Sequence, residues 1–280
     1  MNSFFSNAET KFSTIDGVKI AYRNFGSGFP VLVYNRFRGI LDTWDPLFLD
    51  SLATNNTVVI FDYPGIGDSE GELSSDILEV ALVGIKLMTG LKYDLFHVAG
   101  WSYGGLVAQA ALFLNLDRVL KAVLIGTNPP GENLIPFDPI FFERALKPVN
   151  DLEDETIVFF EPTNQKSREA SQHSFDRIAK RLDRSKVPST QDKFQKYFDG
   201  SAVMKKDAQN FRGQYETLSN AVLVISGDHD ISFAVENWFP LLQKAPSMQH
   251  IIVNATGHGL QHQHPKLIAG YINLFLNTDF

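Results

Sequence analysis

Two patterns of apolar residues alternate along this chain. Short, mostly apolar runs occur at Val31-Leu32-Val33-Tyr34, Val58-Val59-Ile60-Phe61, Leu95–Ala99, Val119–Ile125, Ala221–Ile225 and His250–Val253. Their length and β-branched content fit strands buried on both faces. Between them apolar residues recur at three and four positions. Ser75–Met88 carries Ile77, Val80, Ala81, Ile85 and Leu87 in this spacing, and Trp44–Leu52, Leu106–Leu114, Ala234–Gln243 and Pro265–Leu276 also read as helices. The chain opens with Lys11–Ile15 and Val18–Phe25 flanking Asp16-Gly17, a type I′ turn pair that predicts a hairpin. Buried strands alternating with helices predict an α/β fold with a parallel sheet covered on both sides.

The alternation lapses from Thr127 to about Leu218. Pro129, Pro130, Pro136 and Pro139 break its start, and charged helical spacing follows in stretches such as Ser167–Arg184. Residues 129–218 therefore read as a mostly helical insertion, with 1–128 and 219–280 forming the core. The 280 residues are 44% hydrophobic and 20% charged, as in ordinary globular chains. A formal net charge of −7 argues against a nucleic-acid partner. Cysteine is absent, which excludes thiol nucleophiles, disulfides and cysteine-ligated metal. No segment reaches the roughly 18 apolar residues of a membrane span. The best, Glu79–Leu91, is interrupted by Lys86 and Gly90, and Met1–Thr10 has no basic flank. The expectation is a cytoplasmic protein without a membrane partner, its oligomeric state open, a homodimer included.

Candidate chemistry centres on Ala99-Gly100-Trp101-Ser102-Tyr103-Gly104-Gly105, where a buried strand passes into a helix. Gly-x-Ser-x-Gly in this setting is a nucleophile elbow. Small residues at 100 and 104 let strand and helix approach, and the helix start offers free N–H groups to an oxyanion. A serine hydroxyl needs a base and a carboxylate to orient it. Of seven histidines, His97 lies in a buried strand, His173 has no partner in sight, and His250 starts a strand. His262 and His264 form a His-x-His pair with no third ligand at recognisable spacing, so no metal is expected. His258, between Gly257 and Gly259 after a strand, fits a loop at the sheet edge. Ser226-Gly227-Asp228-His229-Asp230 brings two aspartates to the same edge. The order Ser102, Asp230, His258 matches the serine–acid–histidine order of one fold.

On these residues the chain resembles the α/β-hydrolase superfamily over nearly its whole length outside the insertion. The family's Asp-x-Pro-Gly-x-Gly-x-Ser stretch appears as Asp62-Tyr63-Pro64-Gly65-Ile66-Gly67-Asp68-Ser69, its Gly-x-x-Asp as Gly227–Asp230, its Gly-His as Gly257-His258, and its His-Pro as His264-Pro265. The resemblance implies a mostly parallel eight-stranded sheet flanked by helices, with a helical cap inserted after the sixth strand. It also implies Ser102, Asp230 and His258 as catalytic residues and no cofactor. An alternative acid position after the strand before the insertion reads Gly126-Thr127-Asn128, without a carboxylate. Where many members have His-Gly after the third strand, this chain has Asn35-Arg36-Phe37-Arg38-Gly39. By correspondence, the N–H groups of Phe37 and Tyr103 would form the oxyanion hole. Arg36 and Arg38 either meet an acidic substrate group at the pocket mouth or are solvated, the commoner fate of arginine.

Gly65-Ile66-Gly67 lacks the third glycine of a dinucleotide loop, because position 70 is Glu70. Phe137, Phe141, Phe142, Phe159 and Phe160 cluster in the insertion, where they pack cap on sheet or wall an apolar pocket. The expected pocket comprises Arg36, Arg38, Trp101, Phe159 and Phe160. A serine nucleophile leaves hydrolysis of a small carboxylic ester or lactone with a hydrophobic body as the leading activity. Cofactor-free peroxidase or perhydrolase chemistry, carbon–carbon bond hydrolysis and a slow-turnover small-molecule receptor are the alternatives.

Overall fold

The computed structural model describes residues 3–278; Met1 and Asn2 of the amino-terminal stretch read above, with Asp279 and Phe280, lie outside the described residues. One sheet contains β1 (Lys11–Ile15), β2 (Val18–Gly26), β3 (Phe29–Tyr34), β4 (Asn56–Phe61), β5 (Phe96–Trp101), β6 (Val119–Ile125), β7 (Ala221–Gly227) and β8 (Met248–Val253). Their order is β1-β2-β4-β3-β5-β6-β7-β8. β1 and β2 form the expected hairpin, β2 runs antiparallel to β4, and all later pairings are parallel.

The apolar runs follow from burial on both faces. Within β3, Leu32 and Tyr34 enter one core and Val31 and Val33 the other; β6 divides likewise, with Ala122 and Leu124 opposite Val123 and Ile125. Helices α3 (Ile77–Gly90) and α4 (Tyr103–Leu114) cover the first face. The second is covered by α2 (Pro46–Leu52) and by the carboxyl-terminal helix, Pro265–Leu276, with a short amino-terminal turn, α1 (Phe4–Asn7). The expected helix over 234–243 is instead a 3₁₀ segment, Val235–Leu241, with Pro240 inside it. Proline cannot donate to an α-helical ladder, so the tighter turn results.

Between β6 and β7 lie α5 (Pro139–Ala145), α6 (Leu152–Phe159), α7 (Gln165–Ala179), α8 (Gln191–Lys206) and α9 (Phe211–Gln214). Asp138, Asp151 and Asn164 cap α5, α6 and α7 through side-chain acceptors, which explains where those helices begin. Gly200 lets α8 settle on α4: a Cβ there would stand 2.7 Å from the Tyr103 hydroxyl. Two ion pairs join this segment to the core. Arg177 of α7 reaches the fully buried Asp45 with contacts of 2.6, 2.9 and 3.2 Å, and Arg181 pairs with Asp42 at 2.9 Å. No helix among the described residues is long and apolar enough to cross a membrane.

Candidate active site

Ser102 sits at the turn from β5 into α4 with φ 61° and ψ −124°, a left-handed conformation that a non-glycine residue adopts only when its surroundings impose it. The surroundings are tight. A Cβ on Gly100 would lie 1.9 Å from the Gly104 carbonyl, and one on Gly104 would lie 2.2 Å from the Tyr34 carbonyl. The Ser102 N–H donates to Ile125 O at 2.9 Å, and its own carbonyl accepts from Gly105 and Leu106. Tyr103 is the first residue of α4, so its N–H belongs to the first turn, where amides have no intrahelical acceptor.

The acid and the histidine come from the loops after β7 and β8. Asp230 Oδ2 lies 2.8 Å from His258 Nδ1, with the two side chains 0% and 1% exposed. The other oxygen, Oδ1, accepts from Ser232 N at 2.7 Å and Phe233 N at 2.9 Å, which fixes the carboxylate plane. A carboxylate can only accept, so Nδ1 carries the proton and Nε2 of the neutral ring is left as a base. Gly126, at the end of β6, makes room for this pair. Its φ is +48°, and a Cβ there would stand 2.9 Å from His258 O and 3.1 Å from Nδ1. In Gly126-Thr127-Asn128, which lacks a carboxylate, the feature that bears on the site is thus the glycine.

The chain's departure at Asn35 has a structural explanation. Asn35 donates to Phe61 O, accepts from Trp44 Nε1, and offers its carbonyl to the Tyr63 hydroxyl. It holds the loop after β3 and is fully buried. The next residues do not behave as solvated arginines, which corrects that expectation. Arg38, 4% exposed, donates to Pro188 O, Ala145 O, Lys147 O, Pro148 O and Asn150 Oδ1, all in the inserted segment. Arg36 is half-buried, with its guanidinium 4.7 Å above the Phe159 ring and 5.3 Å above Trp101. Burial pulls both guanidinium groups down to about 10, so both stay charged near neutrality. Glu155, near Arg36, is pushed upward by burial.

Ser102 and His258 line one cavity of about 20 Å³ together with Arg36, Phe37, Glu155 and Phe159. Of the expected pocket residues, Trp101 lies beside this cavity rather than in its lining. It packs on His258 with ring centres 5.6 Å apart and donates Nε1–H to His258 O. Phe160 is a second correction. It is 4% exposed, and its backbone occupies the space a Cβ on Gly257 would need, so it supports the histidine loop from outside the cavity. The His262–His264 pair divides. His262 accepts from Asp45 N–H at 3.3 Å and packs on Trp101, whereas His264 lies 3.1 Å from Thr256 Oγ1.

A second, larger cavity of about 370 Å³ lies alongside, walled by Leu106, Phe137, Phe142, Phe198, Met204 and Phe233. Phenylalanines separate the two spaces. Phe37 touches Phe198 at 5.6 Å, Phe141 touches Phe137 at 5.0 Å, and Phe233 stands 5.6 Å from His258. Phe198 and Phe233 were not distinguished by sequence reading, because each lies in a different helix or loop from the phenylalanine cluster.

The chain is similar to several known proteins. A stretch of 153 residues is 36% identical to the dihydrolipoyllysine-residue acetyltransferase component of the acetoin cleaving system from Cupriavidus necator, covering 52% of this chain and 40% of that protein. The match thus spans less than half of that relative. Over 233 residues the chain is 26% identical to a 2-hydroxy-6-oxononadienedioate/2-hydroxy-6-oxononatrienedioate hydrolase from Cupriavidus pinatubonensis, covering 81% and 78% of the two chains. An alpha/beta hydrolase fold protein from Chitinophaga pinensis superposes with a TM-score of 0.86 at 22% identity, over 99% of this chain and 100% of that one, a likeness of fold. Residues 28–270 match the model of the alpha/beta hydrolase family, and the chain belongs to that family.

Proposed function

We propose that the chain is a serine hydrolase that cleaves a carboxylic ester or lactone with a hydrophobic body through an acyl-enzyme on Ser102. The observation that carries this reading is the buried Asp230–His258 contact of 2.8 Å opening onto the same cavity as Ser102. In the first step His258 Nε2 takes the Ser102 hydroxyl proton while Oγ bonds to the substrate carbonyl carbon. The negative charge then on the carbonyl oxygen faces the N–H groups of Phe37 and Tyr103. Collapse breaks the bond to the alcohol, which leaves with the proton held by His258. Water, deprotonated by the same nitrogen, releases the carboxylic acid and restores the serine. Asp230 holds the ring in the tautomer this requires and stays ionised. The apolar 370 Å³ cavity supports a hydrophobic substrate body.

Carbon–carbon bond hydrolysis is the second reading, prompted by the relative matched over 81% of the chain, a hydrolase named for 2-hydroxy-6-oxo dioates that carry a ketone and no ester. Both readings require an activated Ser102. Treatment with a fluorophosphonate probe, followed by peptide mapping, is expected to give one adduct on Ser102 that His258→Ala abolishes. Ester turnover retained by Ser102→Ala would overturn the proposal.

A further inference from the structure

The two arginines flanking Phe37 differ in what their donors do. In Arg38 every guanidinium nitrogen is engaged by an acceptor of the inserted segment, at 2.7–2.8 Å. Arg36 makes one hydrogen bond, from Nη1 to Phe37 O at 2.7 Å, and its Nε is buried without a partner. Buried donors are nearly always satisfied, and a buried cation is costly unless an anion meets it. Glu155 lines the same cavity and its charge acts on Arg36, but it stands beyond ion-pair distance of that guanidinium and makes its ion-pair contact with Arg184 at 3.9 Å. Among the described residues no carboxylate stands within ion-pair distance of Arg36. The planar guanidinium is held against Phe159 and Trp101, so its free edge has little room to turn elsewhere.

We infer that Arg36 is the anion-recognising group of the Ser102 cavity, and that the substrate carries a carboxylate a few bonds from its scissile carbonyl. The inference rests on the serine hydrolase reading and names the substrate class within it. The short separation follows from size. A cavity of about 20 Å³ holding both Ser102 and Arg36 leaves no room for a long spacer between the two substrate groups. The half-ester of a short dicarboxylic acid would set its carboxylate at Arg36 and direct its alcohol portion toward the apolar cavity once the phenylalanines between the two spaces move aside.

The test compares monobutyl succinate with butyl methyl succinate, which has the same skeleton with its charge masked, by butanol release. Wild-type protein is expected to prefer the half-ester. In Arg36→Met the ratio of the two kcat/KM values should fall by about 10- to 100-fold, the usual worth of a charge-assisted hydrogen bond. Arg36→Lys, which keeps the charge without the planar fork, should retain part of the preference. An unchanged ratio in Arg36→Met, with Ser102 still labelled by fluorophosphonate, would overturn the inference and leave the serine hydrolase reading standing. If Ser102 takes no label, that reading fails and binding decides separately. Succinate should then raise the melting temperature of wild type and not of Arg36→Met, and equal shifts would sink the anion site on its own.

Discussion

The sheet edge and the inserted helical segment wall one site by different physics. At the sheet edge, position is set by backbone. Ser102 is forced into its left-handed turn by glycines with no space for a Cβ, and Asp230 is oriented by two consecutive amides, Ser232 and Phe233. Across the cavity, position is set by long polar side chains. Arg38 gathers four carbonyls and Asn150 of the inserted segment, and Asp45 receives Arg177 and Ser174 from α7. Backbone constraint is stiff and local, whereas charged side chains reach farther and can be disconnected one at a time. On the proposed reading the chemistry belongs to the rigid wall, and Arg36, on the loop after β3, leans on the other wall through Phe159.

The sharpest way to separate the walls is Asp230→Asn. Asparagine would offer an N–H toward His258 Nδ1 and so favour the tautomer with its proton on Nε2, where a base is needed. Turnover is expected to fall by about 10⁴-fold, as wrong-tautomer variants of such relays do. The melting temperature should move by only a few degrees, because the two amides still find an oxygen. Kinetics alongside calorimetry would check both halves. A large loss of stability with modest loss of rate would mean that the acid serves the fold more than the chemistry.

How much could be read from sequence follows the same division. The alternating buried runs of β3 to β8 were legible because burial on both faces leaves a local compositional mark. Ser102, Asp230 and His258 were legible as positions because glycines and short loops beside them reflect local backbone demands. Arg38 was not, since its partners lie 107 to 150 residues away and four of its five acceptors are the carbonyls of Ala145, Lys147, Pro148 and Pro188, which any residue supplies. Arg36 was visible as an anomaly, but its half-burial against Phe159 depends on where α6 docks, which one sequence does not encode locally. The stretch over 234–243 forms a 3₁₀ turn instead of the expected α-helix for a local reason, the Pro240 inside it.

On the other wall the expected effect is on stability. Arg177→Met would leave Asp45 fully buried, with Ser174 and Leu47 as its remaining donors. Removing one partner of a buried pair costs about 3–5 kcal/mol, and here about 2–3 kcal/mol, because Arg177 is itself about a quarter exposed at 26%. Adding Asp45→Asn should recover part of the loss, since the residue left behind is then uncharged. Thermal unfolding of the single and double variants measures this. If the single variant melts with wild type, the contact contributes nothing and the inserted segment is held by its apolar packing instead.

The smallest effect expected is one of acidity, and it falls where the two walls meet. His262 lies between Trp101, which packs on His258, and Asp45, the acceptor for α7. Burial holds its imidazole down to about 3 against an ordinary value of 6.5, with Arg36 and Arg177 adding to the depression and Asp45 opposing it. Because the folded group resists protonation and the unfolded one does not, its stabilising effect is complete above pH 6.5. As pH falls from there toward about 3, the unfolded chain takes up the proton and stability drains at up to about 1.4 kcal/mol per pH unit. His97 and His250, each held at about 4 by burial, act in the same direction over a narrower window. Melting temperature should therefore fall from pH 6.5 to pH 5 in wild type, and less steeply in His262→Phe, which keeps the ring and loses the proton site. The phenylalanine variant should start lower at neutral pH, since Asp45 N–H loses its acceptor. Parallel slopes would show that His262 does not carry the acid sensitivity and that other groups do, the buried His97, His250 and His264 among them.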